Sequence, residues 1–344
     1  MVVLRFPYFL HLYICLYCSL GVFIVERRCN MDSLFDEIPS AKNWVNVQKI
    51  TYGWSDDLKY YVEDNMRRRY MLRINSIDKY ECKKREFEMI VKFNTLRFPM
   101  SKAIEFGICN HGRNVYMLLG WVEGSSLEYK IGNLPIMEQY LLGIQAGKIL
   151  KSIHSIPVEE RDRPKETKIA KKLKQLSKYE QCKYRIPKDE LIIQYIKKNI
   201  HCICKTPPVY QQGDFHVGNL IYTNTKQVGV IDFNRWTCGD RFEEFYKIES
   251  FDVKRSKAFA VGQLHGYFNG EPPLWFWRVQ SVYVAHASLY SIVWASDFEK
   301  KDIDNMTNIC MDTLQHYEYF SRTIPTWYEE YRYLQQEIKK EVVQ

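Results

Sequence analysis

Two short apolar runs, each tied to an acidic or amide side chain, restrict what this chain can fold into more than any other feature. The first is Gln212-Gly213-Asp214-Phe215-His216-Val217-Gly218-Asn219-Leu220-Ile221-Tyr222, and the second is Val228-Gly229-Val230-Ile231-Asp232-Phe233-Asn234. Asp214 and Asn219 sit on a tight loop that leads into Leu220–Tyr222. A polar turn over Thr223–Gln227 then leads to the second run, which ends in Asp232. Paired as a hairpin, the runs project three oxygen-bearing side chains into one cleft. A lone Gly-Asp is usually a turn, and a lone Asp after Val-Ile is often a strand end. Both together are a more specific signal. Phosphoryl transfer needs such a set: one carboxylate orients an attacking hydroxyl and takes its proton, while other oxygen ligands hold Mg²⁺ against nucleotide phosphates.

The elements upstream point the same way. A short helix is expected around Ser33–Glu37, then a three-strand antiparallel meander over Trp44–Thr51, Leu58–Val62 and Arg69–Ile74. Lys79–Leu96 carries Phe87, Ile90, Val91 and Phe93 at helical spacing. Ile104, Phe106 and Val115–Val122 complete the sheet. Glu123-Gly124-Ser125-Ser126 interrupts the pattern, and the remainder reads as mainly helical, beginning with Met137–His154. The expected class is therefore α+β: a nucleotide-binding antiparallel-sheet lobe over residues 31–122 and a helical lobe over 123–344, the latter carrying the catalytic loop and the acceptor site.

On the residues Gly213-Asp214-Phe215-His216-Val217-Gly218-Asn219, Ile231-Asp232-Phe233 and Gly239-Asp240-Arg241-Phe242-Glu243-Glu244, the chain resembles the aminoglycoside phosphotransferase family. That family is related to protein kinases and to choline and macrolide kinases. The likeness runs from about Val47 to about Lys247 and continues more weakly beyond. It implies a protein-kinase-like two-lobed fold, with Asp214 as catalytic base, Asn219 and Asp232 as Mg²⁺ ligands, and His216 supporting the loop. Asp240 would anchor the following helix and the catalytic loop. Gly53–Asp57 occupies the place of the phosphate-covering loop, with the backbone amides from Gly53 and the Ser55 hydroxyl within reach of phosphate oxygens; one glycine is a weak signal, and an ordinary hairpin is the alternative. Arg73 stands where the family usually has a phosphate-pairing Lys; guanidinium can fork onto phosphate and still pair with a helix carboxylate. That carboxylate is expected to be Glu86, with Glu88 the runner-up, since the two face opposite sides of the helix. Trp121–Gly124 resembles the hinge that cradles adenine, and His154 reads as a hydrogen-bonded core residue.

The implied activity is transfer of the γ-phosphoryl group of ATP or GTP to a hydroxyl of an aminoglycoside-like antibiotic or related hydroxylated metabolite. A choline-, sugar- or macrolide-type kinase, or a non-catalytic kinase-like binding protein, are the alternatives. Glu243, Glu244, Glu249, Asp252, Asp297 and Glu299 offer carboxylates for a cationic acceptor, or are solvated faces. The aromatic stripe of Trp275, Phe276, Trp277, Tyr283, Tyr290 and Trp294 reads as core before binding surface.

Composition adds bounds. The 344 residues suffice for two lobes, and 46% hydrophobic with 15% aromatic residues describes an ordered globular chain. The net charge of +8 permits anionic partners but selects none. Its densest basic stretch, Arg161–Lys188, reads as an amphipathic helix with a solvated basic face, and no nucleic-acid partner is expected. The ten cysteines lack zinc-site spacing and are expected reduced, in a cytoplasmic protein. Residues 6–25 carry no charge and are long enough to span ~30 Å of hydrocarbon. Residues 1–30 are therefore a membrane anchor, a signal peptide, or an extension upstream of a working start at Met31. The extension is the preferred reading, because the expected fold requires nothing before Met31.

Overall fold

The structure, a computed structural model, describes residues 34–51 and 56–337; the three readings of residues 1–30 therefore lie outside it. The chain folds as a two-lobed, protein-kinase-like α+β structure. Five strands form the first sheet: β1 (Trp44–Ile50), β2 (Leu58–Asp64), β3 (Arg69–Ser76), β4 (Ala103–Cys109) and β5 (Asn114–Gly120). They lie in the order β1-β2-β3-β5-β4, every pair antiparallel. The expected helix at Ser33–Glu37 is replaced by turns and a 3₁₀ helix over Pro39–Asn43. Pro39 has no N–H to continue a preceding helix, but it fits the first turn of a new one.

Alternation along β3 sorts its side chains between two environments. Leu72 and Ile74 pack with Phe35, Tyr60, Val62 and Leu118 on the outer face. Met71 faces the opposite side, which belongs to the main core, and Arg73 alternates in step with it. Helix α1 (Tyr80–Phe93) covers that side through Met89, Ile90 and Phe93. The strand register sets Arg73 opposite Lys59 on one neighbour and Met117 on the other.

After β5 the backbone passes from one sheet to another. Trp121 N–H donates to Arg69 O at 3.0 Å, and Glu123 pairs with Arg69 at 2.8 Å. Strand β6 (Gly124–Ser126) then pairs with β8 (Leu220–Thr223), which pairs with β9 (Val228–Val230). A further two-stranded unit joins β7 (Val209–Gln211) to β10 (Thr237–Gly239). Val230 ties the sheets together: its N–H donates to Pro99 O at 2.9 Å, and its carbonyl accepts from Ser101 N–H at 3.2 Å.

The helical lobe is built from α2 (Ile136–Ile153), α3 (Lys168–Glu180), α4 (Asp189–Asn199), α5 (Lys257–Phe268), α6 (Leu274–Ala295), α7 (Lys300–His316) and α8 (Thr326–Tyr331). Helices α2 and α5 approach backbone to backbone. A Cβ on Gly147 would lie 2.0 Å from Gln263 O, and one on Gly266 would lie 2.2 Å from Ile144 O. Half of the aromatic stripe is core, with Phe276, Trp277 and Tyr283 buried on α6, while Tyr290 and Trp294 are half-buried and Trp275 is exposed. The basic stretch departs from expectation. In α3, Lys172 is buried beside Leu176 and Tyr179, whereas Leu173 is exposed. Lys168 and Lys172 turn inward to bracket Glu243 at 2.5 and 2.8 Å, so part of the basic face is held in the interior by one carboxylate. Among the described residues no helix is long and apolar enough to cross a membrane.

Candidate active site

The loop between β7 and β8 depends on a backbone turn that only glycine makes without strain. Gly213 has φ of +85°, and a Cβ there would fall 1.9 Å from Arg235 O. The chain thereby passes under the segment that follows Asp232 before presenting Asp214. Two buried carboxylates hold the loop. Glu244 accepts from Gly213 N–H at 2.7 Å, and Asp252 accepts from Val217 N–H at 2.9 Å. Glu244 is itself fixed by His154 Nε2 at 2.8 Å, whose Nδ1 meets Tyr267 at 2.9 Å. His154 is thus a hydrogen-bonded core residue. Asp240 anchors different backbone: it accepts from Cys204 N–H at 2.7 Å, Phe242 N–H at 3.1 Å and the Tyr283 hydroxyl at 2.7 Å. The resemblance had implied that Asp240 anchors the following helix and the loop; it does hold the start of that helix at Phe242, while the loop N–H groups are held by Glu244 and Asp252.

Asp214 lies in a cationic setting. Lys247 Nζ donates to Oδ1, Arg235 Nη1 stands 3.7 Å from Oδ2, and His216 Nε2 stands 3.6 Å from Oδ1. Gly218 N–H donates to His216 Nδ1 at 3.1 Å, which leaves the imidazole proton on Nε2, the nitrogen facing Asp214. The His216 ring stacks on Phe251 at 4.4 Å between centroids. Burial alone would raise the Asp214 pKa, but His216 and Lys247 outweigh it and hold the carboxyl well below the usual range. Lys247 is buried, and it adjoins a π-helical turn over Ile248–Asp252. Such turns recur at functional sites, and this one follows Lys247 and contributes Phe251 and Asp252 to the same loop. Sequence reasoning did not single out Lys247. Its neighbours Glu243, Glu244 and Glu249 read as one acidic patch, and nothing in spacing shows that a lysine among them points inward.

Backbone pairing sets Asn219 beside the residue that precedes Asp232. Ile231 N–H donates to Asn219 O at 3.1 Å, so Asp232 follows directly from a residue bonded to Asn219. Asn219 Nδ2 donates to Asp214 O at 2.9 Å, which turns its amide oxygen the other way. Asp232 adopts a left-handed backbone, with φ of 57°, and keeps a partly exposed carboxylate. An amide oxygen and a carboxylate are hard donors of the kind Mg²⁺ takes, with nucleotide phosphates and water completing the shell. Among the described residues no group of three or more His, Cys, Asp or Glu is gathered as a metal site.

The sheet lobe supplies a buried ion network. Arg73 Nη1 bonds Glu86 at 2.6 Å, its Nε bonds Asp57 at 2.6 Å, and Nη1 lies 3.8 Å from Asp232. Lys83 joins Asp57 at 2.8 Å and Glu86 at 3.2 Å, and Asn75 donates to Asp57 at 2.6 Å. Of the two helix carboxylates, Glu86 turns inward while Glu88 is exposed. Burial opposes the charge on Asp57, yet Arg73 and Lys83 keep its carboxyl below the usual range. Asp57 and Lys83 were not singled out from sequence; each becomes part of the network only when β2, β3 and α1 converge. Gly53 and Ser55 lie outside the described residues.

The carboxylates considered for a cationic acceptor are mostly engaged within the protein. Glu243 pairs with Lys168 and Lys172, Glu244 with His154, and Asp252 is fully buried. Glu249 accepts from Trp327 Nε1 at 2.7 Å and meets His316 at 2.6 Å.

A model of the phosphotransferase enzyme family matches residues 46–277. No curated protein matches the chain. Among solved structures it is similar to the GDP complex of wild-type aminoglycoside 2'-phosphotransferase-IIIa, at a TM-score of 0.61 and 14% identity, covering 82% of this chain and 96% of that one. It is also similar to ADP-bound aminoglycoside phosphotransferase APH(2'')-Ib, at 0.56 and 18%, covering 87% and 99%. A third likeness is amicoumacin kinase hAmiN in complex with AMP-PNP, Ca²⁺ and Ami, at 0.58 and 12%, covering 82% and 91%. At these identities the likeness to solved structures is one of fold. The family match extends over more than half of the sequence, and the chain belongs to the phosphotransferase enzyme family, whose reaction is phosphoryl transfer to an alcohol.

Proposed function

We propose that this protein transfers the γ-phosphoryl group of ATP or GTP to a hydroxyl of a small molecule at Asp214. The observation that carries the reading is the convergence of Asp214, Asn219 and Asp232 on one hairpin, with Arg73 reaching 3.8 Å from Asp232 out of the opposite lobe. Asp214 orients the acceptor hydroxyl and receives its proton; Asn219 and Asp232 are the side chains that would hold Mg²⁺. When bound, the ion offsets the charge of the phosphate oxygens. Arg73, fixed by Glu86 and Asp57, presents its guanidinium toward the same place and would fork onto phosphate. His216 steadies the loop and keeps its Nε2 proton toward Asp214. The solved neighbours named above were bound to GDP, ADP or AMP-PNP, which supports a purine nucleotide donor without choosing between ATP and GTP.

The acceptor is a hydroxylated small molecule, and an aminoglycoside-like antibiotic is the class the fold neighbours suggest. A specific observation favours a second reading. A polycation needs several free, convergent carboxylates. Here four of the candidates are engaged internally, and Lys247 and Arg235 stand beside Asp214. A neutral hydroxylated acceptor, of sugar or macrolide type, fits this electrostatic setting better.

The test is nucleoside-diphosphate release by the purified chain across a panel of hydroxylated acceptors. Some acceptor should stimulate release. Asp214→Asn should lower turnover by ~10²–10⁴-fold while nucleotide still binds, the scale of a lost general base. Asp232→Ala should abolish Mg-nucleotide affinity. If nucleotide binds but no acceptor stimulates release, a non-catalytic binding role replaces this reading.

A further inference from the structure

A cavity of about 390 Å³ lies apart from the carboxylates of the active site, between α1, the start of α3 and the segment that enters β10. Its walls carry Arg85, Arg161, Lys165, Lys168 and Lys171, with Trp236 as the aromatic surface. Asp162 and Glu166 are the carboxylates on the lining, and both are turned to other work. Asp162 accepts from Arg85 and from the Tyr210 hydroxyl at 2.6 Å, and Glu166 pairs with Lys174 at 2.6 Å. Among the described residues Lys165 and Lys171 have no ion-pair partner. Like charges gathered around a concavity repel one another unless an anion joins them, and low-dielectric walls focus their field into it. The volume lies within the range of small-molecule sites, roughly 300–1,000 Å³. The Arg85 guanidinium sits over the Trp236 ring at 5.7 Å, a flat cationic surface open to a phosphate or carboxylate fork.

We propose that this cavity is a binding site for a small anion bearing a phosphate or carboxylate group. Its position connects it to the chemistry at two points. Arg85 precedes Glu86, which holds Arg73, and Trp236 follows Arg235, which stands 3.7 Å from Asp214. An anion that draws Arg85 away from Asp162 therefore acts on the helix that carries Glu86. The anionic group has two sources: a charged end of the acceptor itself, or a free anion that modulates turnover.

The experiment is calorimetric titration of the full chain with inorganic phosphate, the nucleotide site being saturated with Mg-ADP so that only the second site reports. The double substitution Lys165→Ala with Lys171→Ala removes two exposed cations from the cavity wall. It should weaken phosphate binding ~10-fold, about what two exposed charges contribute. A charge-matched control, Lys178→Ala with Lys198→Ala, should leave it unchanged. Absence of phosphate binding by the unsubstituted chain, or equal affinity in the Lys165/Lys171 variant, overturns the proposal. Because the readout is binding, its failure is distinct from failure of the phosphotransfer reading, which Asp214→Asn tests. Kinetics then assign the source. If the KM of a phosphate-bearing alcohol rises in the variant while that of its dephosphorylated counterpart does not, the cavity holds the acceptor. If free phosphate changes turnover of an uncharged acceptor in the parent alone, it holds an effector.

Discussion

His216 and Lys247 together set the charge state of Asp214. Burial by itself would raise the Asp214 pKa, since burial disfavours charge. The ammonium against Oδ1, with His216 beyond it, reverses that outcome. A carboxylate held this far below the usual range stays ionised across the physiological span, and in the proposed reaction it would orient the acceptor hydroxyl rather than hold its proton for long. Lys247→Met removes the cation and leaves the burial. The acid limb of the kcat/KM profile is then expected to move up by about one pH unit or more, the scale of a close charge pair at reduced dielectric. An acid limb that stays in place would show that His216 and Arg235 suffice.

Between elements, the closest approach is that of α2 and α5. Gly143 and Gly147 on one helix face Gly262 and Gly266 on the other, each pair one helical turn apart. The backbones meet where a side chain would otherwise stand, which brings Tyr140 and His265 within 2.7 Å and His154 and Tyr267 within 2.9 Å. The second pair leads through Glu244 to the Gly213–Asn219 loop, so helix spacing is transmitted to Gly213 by three hydrogen-bonded residues. Gly147→Ala should lower stability by about 1–3 kcal/mol, the range for overpacking, seen as a lower urea midpoint at unchanged m. Lys148→Ala, one residue on and exposed, is expected within about 0.5 kcal/mol of the parent.

For the whole molecule, the helical lobe depends on a buried histidine that stays neutral. His265 lies between the Tyr140 hydroxyl at 2.7 Å and the Tyr328 hydroxyl at 3.0 Å, joining α2, α5 and α8. Burial lowers its pKa from 6.5 to about 4. The unfolded chain therefore binds a proton that the folded chain refuses at any pH between those values. Stability falls as pH drops below 6.5, and the loss is complete near 4. At pH 5 this amounts to about 2 kcal/mol relative to pH 7. His265→Gln should remove that component, measured as the difference in urea unfolding free energy between pH 7 and pH 5. An equal pH dependence in both proteins would assign the acid sensitivity to other groups, such as the buried His286, whose pKa burial also lowers.

Local pattern alone indicated the order of strands and helices and the loop and hairpin that carry Asp214, Asn219 and Asp232; it narrowed the helix carboxylate to Glu86 or Glu88, and packing turned Glu86 inward. Each follows from alternation, helical spacing or turn chemistry within a few tens of residues. Tertiary structure decided which charges are free. Lys247, Asp57, Lys83 and Glu243 look like ordinary surface residues in sequence, because a side chain's ion-pair partner is fixed by how distant elements pack and not by its neighbours along the chain. The same cause hid the cavity under α1: its cations come from two separate stretches, Arg85 and Arg161–Lys171, and only packing shows that they converge and that two of them lack an ion-pair partner. Charge is a long-range quantity, so its placement is the part of this molecule that required three dimensions to read.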